Sequence, residues 1–135
     1  MFTVDVKVGR LLEIRLVAPV TMQDLQGLGQ RLGELFQKHP GKLVSAANAA
    51  RAAAVPADVA ARVVEVFKAD NPRIERSGIL VSDSAIFSLQ IERLVAAAEH
   101  PARRCFHDAF ELKVFLGSLL NRDEHARLAQ FLGER

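Results

Sequence analysis

The hydrophobic residues of this chain change period along its length, and that change limits the folds open to it more than any other feature. Phe2, Val4, Val6 and Val8 alternate with Thr3, Asp5 and Lys7; after Gly9-Arg10, Leu12, Ile14 and Leu16 alternate with Glu13 and Arg15. A period of two marks strands with one buried face, so residues 2–16 predict a β-hairpin. From Thr21 the period turns helical. Met22, Leu25, Leu28, Leu32, Leu35 and Phe36 fall on one face, behind a capping-box variant in which Asp24 stands three residues after Thr21. His39-Pro40-Gly41 stops that helix near Lys38.

The alternation then repeats. Leu43 to Ala47 lacks polar alternation, as expected of a strand covered on both faces, and ends at polar Asn48. The alanine-rich stretch from Ala49 to Ala57, broken by Arg51 and Pro56, reads as a connection. Pro56 suits the first turn of a helix with Val59, Val63, Val66 and Phe67 as its buried stripe, ending near Asp70-Asn71-Pro72. Gly78 to Val81 is a second covered strand, and Ser82-Asp83-Ser84 offers N-caps for a helix from Ala85 to about Glu99. Arg103 to His107 is the last strand. Asp108 with Glu111, then Asn121 with Glu124, open two final helices, the second carrying Leu128, Phe131 and Leu132.

The order ββαβαβαβαα predicts an α/β fold. Residues 1–135 form a single domain, with a mixed, mostly parallel sheet, the N-terminal β-hairpin as its antiparallel edge, and helices on both faces. A chain of 135 residues buries enough surface to fold without a disulfide or metal staple.

Composition narrows function mainly by exclusion. The lone Cys105 has no partner for a disulfide and no Cys/His neighbourhood for zinc, so no metal and no cofactor are expected and a reducing cytoplasm is the expected compartment. Nowhere do 18 apolar residues run uninterrupted, so no membrane span is expected. The 18 basic and 16 acidic residues are interleaved, Tyr and Trp are missing, and the densest basic points are only Arg73 with Arg76 and Arg103 with Arg104. No nucleic-acid footprint follows from that.

In open α/β sheets ligands collect at the carboxyl ends of the strands, where this chain places Asn48, Arg51, Ser82, Asp83, Ser84, His107 and Asp108. We take Asn48, Arg51, Ser82, Asp83, Ser84 and His107 as candidate partner- or ligand-binding residues. Ser84, His107 and Asp108 are the best available hydrolase constellation, yet no GxSxG elbow supports them, and Asp83, Ser84 and Asp108 are equally explained as helix caps. Neither GxGxxG nor GxxxxGK[ST] occurs. Gly27, Gly29 and Gly33 lie inside the first helix and suit close helix packing. His39, His100 and His125 fall at helix ends or on exposed helix. Arg76 enters a strand that reads as buried and so needs a partner, with Glu75 or Glu92 as candidates.

The element order resembles the STAS/SEC14-like group that includes anti-anti-sigma factors. The runs Asp70-Asn71-Pro72-Arg73-Ile74-Glu75-Arg76-Ser77-Gly78-Ile79-Leu80, Leu89-Gln90-Ile91-Glu92-Arg93, Arg103-Arg104-Cys105-Phe106-His107-Asp108 and Arg127-Leu128-Ala129-Gln130-Phe131-Leu132 are similar to bacterial SpoIIAA-like proteins of uncharacterised function. The resemblance implies the fold and a habit of binding a partner protein or an apolar ligand. Anti-anti-sigma factors carry a phosphorylatable serine in the loop after a central strand; residues 48–54 hold no serine, so that switch is not expected here.

The leading expectation is therefore a non-enzymatic protein-interaction or regulatory module that docks an unknown protein partner through residues 48–54 and 82–84. The alternative is a carrier of a small apolar, lipid-like ligand, with a pocket between the sheet and the alanine-rich connection. Phe110, Leu112, Val114, Phe115, Leu116, Leu119 and Leu120 occupy more than one helical face, which the terminal helix or a homodimer would cover.

Overall fold

Each helix begins where a polar side chain takes up a free backbone N–H or where proline fixes the entry. The computed structural model, which describes residues 1–134, shows the capping box at Thr21 and Asp24 opening α1 (Met22–Lys38). Pro56 precedes α2 (Ala57–Asp70), Ser84 caps α3 (Ala85–Ala98), Asp108 caps α4 (Ala109–Gly117), and a second capping box, Asn121 with Glu124, opens α5 (Arg122–Gly133). Between them run β1 (Phe2–Asp5), β2 (Leu11–Val17), β3 (Leu43–Arg51), β4 (Ile74–Val81) and β5 (Arg103–Phe106).

The strands lie in chain order, β1-β2-β3-β4-β5, with β1 antiparallel to β2 and the rest parallel. Because the order from β2 to β5 never reverses and crossovers share one hand, α1, α2 and α3 all fall on one face. Their stripes pack with Leu12, Ile14, Ala47, Ala49, Ile79 and Val81. The opposite face, carrying Leu11, Val44, Ala46 and Leu80, is covered by α4 and α5. The chain is thus an α/β domain with a mixed sheet, an N-terminal hairpin and helices on both faces. Gly78 lets α4 approach the sheet: a Cβ there would lie 2.9 Å from Leu112. Gly27 likewise faces the ring of Phe2 at 3.2 Å, whereas Gly33 meets no neighbour within 4 Å and serves no close packing.

Several boundaries differ from those expected. β3 continues four residues past Ala47 to Arg51, because Asn48 and Ala49 keep their pairing with Leu80 and Val81 of β4. Asn48 is tolerated inside the sheet since its own Oδ1 accepts the Ala50 N–H at 3.1 Å. β4 begins at Ile74, not Gly78, and the charged residues at its start are individually satisfied. Arg73 donates to the carbonyls of Phe36, His39 and Gly41, closing the end of α1. Glu75 pairs with Arg10 at 3.1 Å. Arg76 takes neither glutamate; it donates to the Phe115 carbonyl at 2.7 Å and to Ser118 Oγ at 2.9 Å, and lies over the Phe115 ring. β1 ends at Asp5, so Val6 and Val8 belong to the turn, where Gly9 takes a positive φ of 56°.

Candidate functional site

The six residues selected from the sequence divide between the sheet interior and one shallow surface. Asn48 is buried within β3, and Arg51 ends that strand with its side chain exposed and its carbonyl accepting the Ala18 N–H at 3.0 Å. Ser82, Asp83 and His107 line a groove of about 350 Å³ with Ala50, Leu80 and Ala109. Ser84 stands beside it as the cap of α3, accepting the Phe87 N–H at 3.3 Å. The Ser82 carbonyl accepts from Ser88 Oγ at 3.2 Å, fixing the loop to the second turn of the same helix.

The hydrolase constellation is not wired together. Asp108 spends its carboxylate on the Phe110 N–H at 2.9 Å, Ser84 on its helix, and no hydrogen bond joins His107 to either among the described residues. A relay needs the base within hydrogen-bond reach of nucleophile and orienting acid. The crevice that open α/β sheets form where strand order reverses also has no counterpart, since β2 to β5 run in one sense. His100 is structural: Nε2 reaches the Ile74 carbonyl at 2.7 Å while Nδ1 accepts the Ala102 N–H at 3.0 Å, which makes Nε2 the protonated nitrogen.

Ile86 and Leu89 of α3 are 76% and 48% exposed, and Phe110 and Val114 of α4 are 66% and 63% exposed. Both helices begin at the carboxyl ends of adjacent strands, β4 and β5, but on opposite faces of the sheet, so Ile86 and Phe110 stand beside the groove while Leu89 and Val114 lie farther along each helix.

A second space lies inside. An apolar cavity of about 60 Å³ separates the sheet from α1, α2 and α3, with Ala47, Ala49, Ala52, Val66 and Phe67 among its walls. The alanine-rich segment does border it, as strand and strand exit instead of a free loop. Among the described residues its one ionisable wall is Asp70, the last residue of α2, whose carboxyl is pushed up to about 7 by burial against the partial pull of Arg103. Arg103 is 6% exposed, donates from Nη1 to Asn71 Oδ1 at 2.8 Å, and lies 4.4 Å from the centre of the Phe67 ring.

Asp70 and Arg103 were not among the candidates. One signal was readable, an acidic residue ending a helix where the dipole disfavours negative charge. Cys105, half-buried on β5, has its thiol raised to about 11 by burial and then by Glu92, so it is protonated at neutral pH. Among the described residues no helix is long and apolar enough to cross a membrane. The chain matches no known family model and no curated protein.

Proposed function

We propose that this chain is a non-enzymatic protein-interaction module of the STAS/SpoIIAA-like kind, working in the cytoplasm and docking its partner at the end of the sheet where α3 and α4 begin. The carrying observation is the groove in which Ser82, Asp83 and His107 meet at the carboxyl ends of β4 and β5, with exposed Ile86 opening α3 on one face of the sheet and exposed Phe110 opening α4 on the other. Exposed apolar groups gathered beside polar ones mark contact surfaces more than scattered ones do. The groove supplies a carboxylate and an imidazole at its rim, and Asp83 has no hydrogen-bond partner of its own among the described residues, leaving it free for a partner's donor.

Affinity capture with quantitative mass spectrometry tests this. The Ile86→Ser, Phe110→Ser double variant is expected to keep the wild-type melting profile, because both side chains are already in water, and to lose about tenfold or more of the recovered partner. Recovery equal to wild type would place the contact elsewhere.

A second reading, a carrier of a small apolar ligand, is favoured by the internal cavity and its alanine walls. Native mass spectrometry of protein taken directly from cells is expected to show a fraction of added mass under this reading. A single species at the chain mass would remove it.

A further inference from the structure

We infer that the inner cavity continues to the surface between residues 18–20 and 53–56, and that the two spaces together hold one unbranched alkyl chain whose head group stays in water. The inference rests on the apolar-ligand reading above and adds the shape of the ligand and its way in.

Two apolar spaces meet at that place. Of the nineteen side chains lining the inner cavity of about 60 Å³, eighteen are apolar, so its walls offer a ligand carbon and little else. A surface groove of about 430 Å³ lies between Ala18, Pro19 and Val20 on one side and residues 53–56 on the other, and every side chain lining it is apolar. Val20, Ala53 and Val55 line both spaces and therefore stand between them. Val20 and Val55 are half-buried and Ala53 is exposed, the gradation of a throat that leads from interior to solvent.

The inner space selects shape. About 60 Å³ is less than half of the roughly 150 Å³ in which an engineered apolar cavity holds benzene, so it admits the end of a methylene chain and excludes a ring. A chain that starts inside and leaves through the throat keeps its later carbons against the carbon of the groove, and each methylene so taken from water strengthens binding about fourfold. The head group meets no charged wall in the groove and stays in solvent.

One side chain fastens the entrance. Residues 52–56 lie outside helix and strand, and Gln90 of α3 ties them down at Val55, accepting its N–H through Oε1 at 2.9 Å and donating from Nε2 to its carbonyl at 2.8 Å. Val55 is itself a throat residue, so this two-bond clamp is the latch of the entrance.

Methyl-resolved NMR of the full chain at pH 6, where Asp70 is mostly protonated, titrated separately with xenon, 1-butanol, 1-hexanol, 1-octanol and cyclohexanol, decides it. Saturable shifts are expected at the methyls of Ala47, Ala49 and Val66 inside and of Val20 and Ala53 in the throat, with affinity rising about fourfold per added methylene and 1-hexanol bound about tenfold more tightly than cyclohexanol. Ala53→Phe, at an exposed position, is expected to keep the melting profile and xenon binding of the wild type and to weaken 1-octanol about tenfold, the worth of roughly two methylenes. Gln90→Leu is the second variant should the first not fold, and is expected to speed the exchange of 1-octanol about fivefold, the worth of one hydrogen bond. If xenon binds while affinity does not rise with chain length, or cyclohexanol equals 1-hexanol, or neither variant alters 1-octanol, the chain and its entrance are overturned and the apolar-ligand reading survives for a smaller ligand. If no probe binds, both fail.

Discussion

Asp70 concentrates more physical conflict than any other residue of the chain. It ends a helix, where the dipole opposes its charge, it borders an apolar cavity, and among the described residues the charge that acts on it is that of Arg103 from β5. The nearby His100 is engaged with the Ile74 carbonyl and the Ala102 N–H. Burial lifts the Asp70 carboxyl from its ordinary 3.8 to about 7, so the folded state holds a proton that the unfolded chain has released across that interval. Stability therefore falls as pH rises from about 4 to about 7 and levels off above, by at most about 1.4 kcal/mol per pH unit, less where solvent reaches the carboxyl. Asp70→Asn is expected to flatten this slope and to raise the melting temperature at pH 8 relative to wild type. Urea unfolding across pH 4 to 8 measures it, and parallel slopes for the two proteins would show that Asp70 does not control the dependence.

Among the elements, α5 and the hairpin show best what the sequence could and could not disclose. The strict alternation in β2 was readable as one apolar face, and the capping box at Asn121 and Glu124 as a helix start. The hairpin's other face was not, because alternation reports polarity and not cover. Glu13 lies on that face, is only 4% exposed, and accepts two hydrogen bonds from Arg127 of α5, at 2.8 and 2.7 Å. Arg15 is held over Phe131 in the same layer. The partners stand 114 residues apart, beyond any local pattern. The same limit hid the length of β3, whose last residues are strand only because β4 pairs with them, and the roles of Arg73 and Arg76, which serve carbonyls instead of glutamates. Of the site residues, the three groove positions Ser82, Asp83 and His107 were legible from strand ends alone, and an apolar pocket beside the alanine-rich segment from its small side chains; Asp70 in the cavity wall was not, since its place there is a property of packing between elements distant in sequence. Glu13–Arg127 is expected to behave as a buried pair: Arg127→Leu leaves a carboxylate without compensation and should cost about 3–5 kcal/mol, while the Glu13→Leu, Arg127→Leu double variant should recover much of that loss. Denaturant midpoints of the three proteins test it; equal destabilisation in single and double variants would assign the loss to packing alone.

At the scale of the whole molecule, the unresolved balance is between cover supplied within the chain and cover supplied by a second copy. α4 is apolar around most of its circumference, and α5 takes up the inner part: Leu112 and Leu116 have no exposure, and Leu128 and Phe131 close over the same cluster. Phe110 and Val114 stay in water on the outer side of α4, across the sheet from Ile86 and Leu89 of α3. Two side chains amount to a patch well short of the roughly 800 Å² per partner that a stable interface uses. Free strand edges add backbone groups that a second copy is able to pair, which favours contact without fixing it. The expected behaviour is weak self-association: the chain mass of 14.8 kDa at about 1 µM, rising only at several hundred µM, with the rise abolished by Val114→Ser. Sedimentation velocity over that range is the measurement. A dimer already formed at the lowest concentration would require a larger surface such as a paired sheet edge, and a constant mass throughout would mean that α5 is sufficient cover and that the outer patch is reserved for a different partner.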